Sequence, residues 1–538
     1  MKKTGISILF FAALAASITL SAQNVPVIEW QKSFGGTIGE TANSVLQSPD
    51  GGFVFAGYTK STDGDISGSN GKTDYWVVKM DQSGNLLWQQ SLGGSDHDAQ
   101  WDFQLTDDGG YVIAGQSKSA DGDLILNKGE EDYWIVRLDE GGNIVWQRSF
   151  GGSSEDEAYS VQQTMDGGFI VAGYSESNDG DVTGNHGEVD YWVIKLDGAG
   201  NLIWQKSLGG SDEDEGYYVQ QTADGGFVIV GESESDDGDV TGNHGEGDYW
   251  IVKLDANGNL IWEKSYGGSS VDYARMVKRT TDDGFVIAGW TSSNDGDISG
   301  NNGDTDYWIV KLNAEGELQW EKNLGGSDYD FAYSINQTAD QGFIIAGYIH
   351  SNDMDVSGNH GSTDYWLVKL DASGNLSWQK TLGGTNYDQA YAVQQASDGG
   401  YIIAGLSFSN DGDVSGNHST TIGTTQDCWV VKLSPEITGI GSVMANTVSV
   451  FPNPVKDVLT IQVDDFISSG STKQFMYGDK FDVLVYDATG IILKVPVTFT
   501  NTGIQLITAG LFSGYYSFQI VNHNKESIAR GKFVKQSD

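Results

Sequence analysis

The sequence predicts an all-β chain, a seven-bladed β-propeller followed by a small immunoglobulin-like β-sandwich. Three observations lead to this fold. The sequence repeats with a period of 58 residues, and each period holds four strand-like runs. The repeat region also begins with a lone fourth strand and ends with a third strand, so that its two ends are complementary.

The period is set by tryptophan. One set recurs at 58-residue intervals: Trp30, Trp88, Trp146, Trp204, Trp262, Trp320 and Trp378. A second set stands in the tripeptide "DYW", and in "DCW" after five inserted residues in the seventh copy: Trp76, Trp134, Trp192, Trp250, Trp308, Trp366 and Trp429. Because every copy carries both, these tryptophans are interpreted as packing positions within and between blades and not as a ligand platform.

The third copy shows the four runs: Tyr159–Thr164, Gly168–Ser175, Tyr191–Asp197 and Leu202–Leu208. In each run β-branched and aromatic residues alternate with polar ones, and Gly, Asp and Asn mark the ends. Short hairpin signals such as "MDGG" join them. A helical solenoid is excluded, because no period of 3.6 residues is present.

The two ends of the repeat region predict how the ring closes. Val27–Phe34 reads as a fourth strand without a blade of its own, and Cys428–Leu433 is a third strand with no fourth strand after it. The N-terminal strand is therefore expected to complete the seventh blade, which leaves no open sheet edge.

Charge restricts the partners. The 538 residues contain 30 Lys and Arg against 74 Asp and Glu, a net charge of −44. Nucleic acid and anionic membrane are excluded as partners, because both need a positive surface. No apolar stretch is long enough to span a bilayer, so we expect a protein that is not integral to a membrane, and we expect a monomer.

The N-terminus predicts export. Lys2 and Lys3 precede the apolar run Ile6–Leu20, and cleavage is expected before Gln23, so residues 1–22 are interpreted as a signal peptide. Cys428 is the only cysteine and cannot form an internal disulfide. The propeller is then assigned to residues 23–433, a linker to 434–447 and the β-sandwich to 448–538.

The last 105 residues differ in composition. From Ser434 onward there are 8 Lys and Arg against 9 Asp and Glu, so nearly all the negative charge belongs to the propeller. The motifs "VFPNPVKDVLTIQV" (450–463), "VLVYDATGIIL" (483–493), "LFSGYYSFQIV" (511–521) and "GKFVKQ" (531–536) follow. They resemble the C-terminal sorting domain of type IX secretion cargo in Bacteroidetes.

This resemblance implies interaction with the type IX secretion machinery and translocation across the outer membrane. The protein is then secreted or displayed on the outer cell surface, with the tail either removed or retained. The 58-residue repeats are similar to those of secreted propellers that carry this tail, a similarity that implies a location and no activity.

An acidic loop between the second and third strand of each blade is a candidate calcium site. In "DGDVTGNHGEVD" (179–190), oxygen-bearing side chains occupy positions 1, 3, 5, 7 and 12 with Gly at position 6. Five blades keep the full spacing, and their carboxylates are Asp63, Asp65 and Asp74; Asp179, Asp181 and Asp190; Asp237, Asp239 and Asp248; Asp295, Asp297 and Asp306; Asp353, Asp355 and Asp364. In blade two Ile125 and Leu126 break the pattern, and the insertion in blade seven moves Asp427 out of register.

Two interpretations of these loops stay open. Either they bind Ca²⁺, weakly because position 12 is Asp and not the longer Glu, or their carboxylates cap backbone N–H groups in stacked turns. A bound Ca²⁺ would brace the loops and reduce the repulsion between acids.

Positions where blades differ are candidates for a ligand site. Blade five has a basic cluster on its inner strand, Arg275, Lys278 and Arg279, and blade two has His97 and Trp101. Two interpretations of these five residues stay open: an anion or sugar pocket at the central channel, or drift between repeats with simple charge compensation. The function favoured by the sequence is a binding or adhesion module for a polysaccharide or protein. The alternative is a glycoside hydrolase or lyase acting in the channel, although the sequence names no catalytic residue.

Overall fold

The computed structural model describes residues 25–124, 127–419, 421, 423–436, 448–451, 455–463, 481–486, 492–500, 503–512, 514–522 and 527–536. Two compact units divide the chain at residue 436. Every regular element in the described residues is a β-strand, which confirms the all-β prediction. Those residues contain no helix with the length and apolarity needed to cross a bilayer. The predicted signal peptide, Ile125, Leu126 and most of the predicted linker lie outside them.

Seven antiparallel sheets of four strands make up the N-terminal unit, and each sheet is called a blade here. The first strands are β2 Glu40–Gln47, β6 Asp98–Leu105, β10 Asp156–Gln163, β14 Asp214–Gln221, β18 Asp272–Arg279, β22 Asp330–Gln337 and β26 Asp388–Gln395. The second strands are β3 Phe53–Thr59, β7 Tyr111–Ser117, β11 Phe169–Ser175, β15 Phe227–Ser233, β19 Phe285–Thr291, β23 Phe343–Ile349 and β27 Tyr401–Ser407.

The remaining two strands of each blade follow in chain order, except in blade 7. The third strands are β4 Asp74–Met80, β8 Asp132–Leu138, β12 Asp190–Leu196, β16 Asp248–Leu254, β20 Asp306–Leu312, β24 Asp364–Leu370 and β28 Asp427–Leu433. The fourth strands are β5 Leu86–Leu92, β9 Ile144–Phe150, β13 Leu202–Leu208, β17 Leu260–Tyr266, β21 Leu318–Leu324, β25 Leu376–Leu382 and, from the N-terminus, β1 Ile28–Phe34. First strands of successive blades contact each other and form the inner layer.

Blade 7 is built from both ends of the repeat region. β1 pairs antiparallel with β28, with Phe34 opposite Cys428 and Ile28 opposite Leu433. This pairing is the one that the sequence predicts for the two ends. The neighbouring first strand, β2, contacts β26 and β27, so blade 1 lies beside blade 7.

The first strands begin earlier than the sequence predicts. In the third copy the strand starts at Asp156 and not at Tyr159, and Asp156 pairs with Ser175. The register shifts between Ala158 and Ser160, which marks a β-bulge. Alternation of apolar and polar residues is interrupted at such a bulge, so the sequence pattern does not extend to the first residues of the strand.

The core lies between neighbouring blades. The third-strand tryptophans, such as Trp192, are fully buried. At six boundaries a third-strand tyrosine packs at a tilt against the tryptophan of the next blade, with ring centroids 4.4–4.6 Å apart. Its hydroxyl also donates to the backbone carbonyl of that tryptophan, as Tyr133 does to Trp192 at 2.8 Å. Each blade therefore depends on its neighbour for a closed core.

The C-terminal unit has two four-stranded antiparallel sheets, ordered β29-β30-β34-β33 and β32-β31-β35-β36. Its strands are β29 Val448–Phe451, β30 Val458–Val463, β31 Phe481–Tyr486, β32 Ile492–Leu493, β33 Val497–Thr500, β34 Gly503–Ile507, β35 Gly514–Asn522 and β36 Ser527–Lys535. Leu459 and Ile461 of the first sheet share one buried core with Val485 and Phe518 of the second. The unit is therefore a β-sandwich.

Candidate ligand pocket and acidic loops

A ring of seven side chains lines the centre of the N-terminal unit. Each comes from the fourth residue of a first strand, and the repeat of 58 residues places them at one level: Asn43, Trp101, Tyr159, Tyr217, Arg275, Tyr333 and Tyr391. Five of the seven are aromatic. The two members of the ring that are not aromatic are Asn43 and Arg275.

This ring encloses a pocket of about 370 Å³. Its walls also include residues from the adjoining positions and from a second strand: Thr41, Ser44, Tyr58, Asp102, Tyr218 and Met276. The volume lies within the range of small-molecule sites, and the walls combine aromatic faces with a few polar groups. The pocket is therefore the candidate ligand site.

The Arg275 guanidinium is held by aromatic rings. Its central carbon lies 4.4 Å from the ring centroid of Tyr217, 5.2 Å from Tyr333, 5.7 Å from Tyr159 and 6.0 Å from Trp290. Cation–π attraction of this kind is worth about 0.5–2 kcal/mol per pair, depending on solvent access. The rings thus fix the guanidinium inside the pocket.

Two glutamates bind the tyrosine hydroxyls of the ring. Tyr159 donates to Glu157 Oε2 at 2.8 Å, and Tyr217 donates to Glu215. Burial raises the pKa of Glu157 to about 8 and raises the pKa of Glu215 as well. Burial also raises the pKa of Tyr159 and Tyr217 well above the usual value for tyrosine. Near neutral pH these hydroxyls are therefore hydrogen-bond donors and not bases.

Lys278 takes part in a polar network below the ring. Its ammonium binds the Tyr218 hydroxyl and lies 4.5 Å from that ring's centroid. Asp102 faces the same region and accepts hydrogen bonds from Ser160 Oγ at 3.1 Å and Val161 N at 3.0 Å. Burial lowers the pKa of Lys278 to about 8, and burial raises the pKa of Asp102. The network joins four blades across the centre.

The five residues predicted to form a pocket are only partly brought together. Trp101 and Arg275 line it, and Lys278 lies next to Tyr218 in its wall. His97 is exposed just before β6, where its Nδ1 lies 2.9 Å from Thr73 Oγ1, and Arg279 is exposed at the end of β18. His97 and Arg279 are thus outside the pocket.

In the acidic loops, the carboxylates at positions 1 and 3 cap backbone groups. Asp179 Oδ1 accepts from Ser153 N at 2.7 Å, and Asp181 Oδ2 accepts from Gly151 N at 3.3 Å. The equivalent position-1 contacts in other blades are made by Asp63, Asp121, Asp237, Asp295, Asp353 and Asp411. These are the contacts expected of structural turns. They tie each loop to the segment that enters the same blade.

The position-12 aspartates are in a different environment. Asp190 is fully buried, and its Oδ2 accepts from the backbone N–H and Nδ1 of His186 at 3.0 and 2.7 Å. Its Oδ1 is buried without a hydrogen-bond partner, as are the Oδ1 atoms of Asp74, Asp132, Asp248, Asp306, Asp364 and Asp427. An unpartnered buried carboxylate oxygen is costly unless a proton or a cation satisfies it.

Each of these oxygens faces a second acid from the following blade. A Cβ built on Gly209 would lie 2.8 Å from Asp190 Oδ1 and 2.5 Å from Asp214 Oδ2, so the two carboxylates pack against one glycine. Burial, with the nearby Asp190 charge, raises the pKa of Asp214 to about 6. At the boundary between blades 2 and 3, the Lys128 ammonium of blade 2 pairs with the loop acid Asp181 of blade 3.

A further acidic group was not predicted. Carboxylate oxygens of Glu131, Glu155 and Glu157 lie within 4.8 Å of one another, the spacing at which one metal ion can be shared. Their oxygens already bind protein groups, since Lys118 pairs with Glu131 at 2.8 Å and Tyr174 donates to Glu155 at 2.9 Å. The segment "GGSSEDEA" contains two of these acids, but no spacing rule links them to Glu131.

Sequence reasoning also missed Tyr58 and Tyr218 in the pocket wall and Trp290 beside Arg275. The signal that would have found the ring is the fourth position of each first strand, read across all seven copies. Tyr58 and Trp290 reach the site from the second strands, and no repeat pattern distinguishes them from packing residues.

Comparison with known proteins gives one distant sequence relative. The regulatory protein FlaEY of Caulobacter vibrioides is 27% identical over 223 residues, which cover 38% of this chain. The chain spans only 23% of that relative's length.

Solved structures give low similarity. A protein of unknown function from Bacteroides caccae is 12% identical with a TM-score of 0.36, covering 64% of this chain and 94% of its own. PorZ, a surface component of the type IX secretion system of Porphyromonas gingivalis, is 12% identical with a TM-score of 0.30, covering 91% of this chain and 69% of its own. At these scores the likeness assigns neither activity nor partner.

The C-terminal unit matches a family model. Residues 449–536 match the secretion system C-terminal sorting domain, which confirms the resemblance seen in the sequence. Such a domain engages the type IX secretion machinery. Residues 449–536 are therefore a sorting domain, and the chain is a propeller-like protein delivered to the cell surface or beyond it.

Proposed function

We propose that this protein is a surface-displayed or secreted binding module that takes an extracellular glycan or protein ligand into the pocket lined by the ring. The observation that carries the proposal is the break in repeat symmetry at Arg275, which points into an aromatic pocket where the other blades supply Asn, Trp or Tyr. Repetition explains packing residues, whereas a residue that departs from it inside a pocket is typical of recognition.

Binding is tested on the mature protein with a glycan array, followed by calorimetric titration of each hit. We expect Tyr217→Leu to weaken binding by at least about tenfold, because it removes one aromatic wall and one hydroxyl. Tyr387→Leu is the matched control, since Tyr387 is 49% exposed and is not among the pocket residues. Equal weakening by both variants would contradict a site in the pocket.

An enzyme acting in the same pocket is the second candidate. Glu157 favours it, because a carboxyl group with a pKa of about 8 holds a proton at neutral pH and can act as a general acid. Against a lyase, the raised pKa of the ring tyrosines disfavours a phenolate base. Incubation of array hits with the protein, followed by chromatography of the products, distinguishes the two candidates. Cleavage of a hit by the wild-type protein that is lost in Glu157→Gln would show that the pocket is catalytic and not only a binding site.

We also propose that the seven blades form one closed ring. The pairing of β1 with β28 supports this, as do contacts across the boundary between blades 7 and 1: Gln394 Oε1 accepts from Gln47 N, and Gln47 Oε1 accepts from Ser397 N, both at 2.7 Å. Removing residues 25–34 should expose the edge of β28 and lower the melting temperature by more than 10 °C, roughly, with aggregation. Removing residues 449–538 is the control and should leave propeller melting unchanged.

Calcium at the acidic loops is a separate proposal. The fully buried, unpartnered Oδ1 atoms of the position-12 aspartates support it, because Ca²⁺ is bound by such oxygens. We expect millimolar Ca²⁺ to raise the melting temperature relative to EDTA at pH 8, which lies above the pKa of about 6 of the first-strand acid Asp214. Mg²⁺ at the same concentration is the ionic-strength control, and identical melting in Ca²⁺, Mg²⁺ and EDTA would leave the turn interpretation standing.

A further inference from the structure

Arg275 makes no ion pair with a described residue, and its charge only partly offsets the rise that burial causes in the pKa of Glu215. In the described part of the chain, its guanidinium makes ring contacts but no hydrogen bond and no ion pair. Acids are abundant in this chain, and the repeated third-strand cations are paired: Lys195 binds Asp166 at 3.1 Å and Lys253 binds Asp224 at 3.1 Å. A lack of acids therefore does not explain why Arg275 is unpaired.

The surroundings of Arg275 leave its hydrogen-bonding edge available. Four ring centroids surround its central carbon at 4.4–6.0 Å, and none of its N–H groups bonds to a described residue, so its donors are available to a ligand. Glu157 and Glu215, the nearest acids on the ring strands, are engaged by Tyr159 and Tyr217. The planar fork of Arg275 is thus oriented by its neighbours and matches the two oxygens of a carboxylate.

We infer that the pocket binds a carboxylated sugar, with the uronate carboxylate on Arg275 and the sugar ring against the tyrosine and tryptophan faces. This inference rests on the proposed binding function and specifies its ligand class. Sugar rings present C–H faces that pack on aromatic rings, and the pocket volume of about 370 Å³ accommodates one or two of them. An acidic peptide offers the same carboxylate but not the flat ring, so it is the alternative outcome of the test.

The ligand is expected to be short or to enter by its end. The chain carries a net charge of −44, which repels a long polyanion over roughly the Debye length of 8 Å at physiological salt. A single carboxylate that reaches Arg275 meets one fixed cation at contact distance, where the local attraction exceeds that screened repulsion.

The test compares digalacturonic acid with its methyl ester, which has the same rings and no charge. Trp101 lines the pocket and the Trp290 ring centroid lies 6.0 Å from the Arg275 guanidinium carbon, so intrinsic fluorescence reports binding. For the wild-type protein at pH 7 we expect the acid to bind roughly 10- to 100-fold more tightly than the ester, the usual effect of charge-assisted hydrogen bonds. Arg275→Met should abolish this preference and Arg275→Lys should retain part of it.

Arg148→Met is the matched control, because Arg148 also lies over a tryptophan, 5.7 Å from the Trp146 ring centroid, but on a fourth strand. It should leave both affinities unchanged. Circular dichroism establishes folding for each variant, and Arg275→Lys serves if Arg275→Met does not fold.

The outcomes separate this inference from the proposed function. Equal binding of acid and ester, still weakened by Tyr217→Leu, would overturn the ligand class and leave the binding function. Absence of binding across the whole glycan array would overturn the proposed glycan-binding function itself. Arg275-dependent binding of an acidic peptide such as tetraglutamate, with none of the digalacturonate, would replace the sugar by a peptide.

Discussion

A glycine occupies the fifth residue of every second strand in the blades, and its reason is steric. A Cβ built on Gly231 would lie 1.9 Å from the Glu215 carbonyl oxygen and 2.6 Å from the Tyr191 hydroxyl. The register shift after Gly216 brings that carbonyl close, and Tyr191 belongs to the preceding blade. The repeated glycine is visible in the sequence. The two atoms that exclude a side chain there are not, because the bulge positions the Glu215 carbonyl and the preceding blade contributes the Tyr191 hydroxyl.

Gly231→Ala should therefore destabilise the protein strongly. Backbone atoms must move to admit the methyl group, so we expect a loss of about 2–4 kcal/mol in the free energy of unfolding, measured by urea denaturation. The comparison is Gly225→Ala, a turn glycine with φ of +83° whose Cβ would meet only the Ala256 methyl group, at 4.0 Å. It should cost about 1 kcal/mol, from backbone strain alone. A smaller loss at Gly231 than at Gly225 would contradict the steric explanation.

At the scale of the element, the boundary between blades 7 and 1 differs from the other six. Six third strands begin Asp-Tyr-Trp, and the tyrosine hydroxyl binds the next blade; β28 begins Asp-Cys-Trp and lacks that hydroxyl. Blade 1 also differs at the third residue of its second strand, β3, where it has Phe55 and the other blades have Ile or Val. Cys428 and Phe55 lie in one buried cluster, and Phe55 packs on Trp76 with ring centroids 5.5 Å apart.

The presence of Cys428 and Phe55 at this boundary, where other boundaries have Tyr and Ile or Val, predicts that substitutions at the two positions are coupled. Cys428→Tyr alone should overpack the boundary and cost about 1–3 kcal/mol, and Phe55→Ile alone should leave a void and cost about 1–2 kcal/mol. The double variant restores the arrangement of the other boundaries, so we expect it to be more stable than the sum of the single effects by at least about 1 kcal/mol. A double-mutant cycle from thermal or urea unfolding measures this, and strict additivity would show that the two residues do not compensate.

At the scale of the whole molecule, buried acids form a repeated ring. Burial raises the pKa of five first-strand aspartates to about 6: Asp156, Asp214, Asp272, Asp330 and Asp388. Burial also raises the pKa of Asp306 to about 7 and of Glu232 to about 8. The folded chain therefore binds more protons than the unfolded chain between about pH 4 and pH 8.

The pH dependence of stability follows from that excess. A raised pKa in the folded state gives stability that is present at low pH and lost as the pH rises through the folded pKa. Hairpin acids that pair with a lysine have the opposite effect. Partial burial of Asp50 would raise its pKa, but hydrogen bonding by Lys79 and its neighbours lowers that pKa to about 2. The stability that Asp50 contributes is therefore lost only as the pH falls below about 4. We expect maximal stability near pH 5 and a melting temperature at least roughly 5 °C lower at pH 8.

Differential scanning calorimetry at constant ionic strength checks this expectation. Asp214→Asn removes one titrating group of the ring and should flatten the slope between pH 5 and pH 8, whereas Asp197→Asn, at an exposed hairpin, should not. A melting temperature that is constant or rises toward pH 8 would show that the buried acids are ionised at little cost.

The sequence by itself determined the strands, the seven copies, the pairing partner of the first strand and the C-terminal sorting domain. These follow from alternation, turn residues, a 58-residue period and local motifs, all of which are read along the chain. It also singled out Trp101 and Arg275, because they depart from the repeat.

Only the tertiary structure decided what those residues do. The cage around Arg275 joins side chains from blades 3, 4, 5 and 6, and each buried Asp pair joins two blades, so neither is visible in the spacing of one copy. Burial of the first-strand aspartates, which raises their pKa values, is likewise decided by the packing of neighbouring blades. Linear spacing describes one blade at a time, whereas the electrostatics of this protein arise where blades meet.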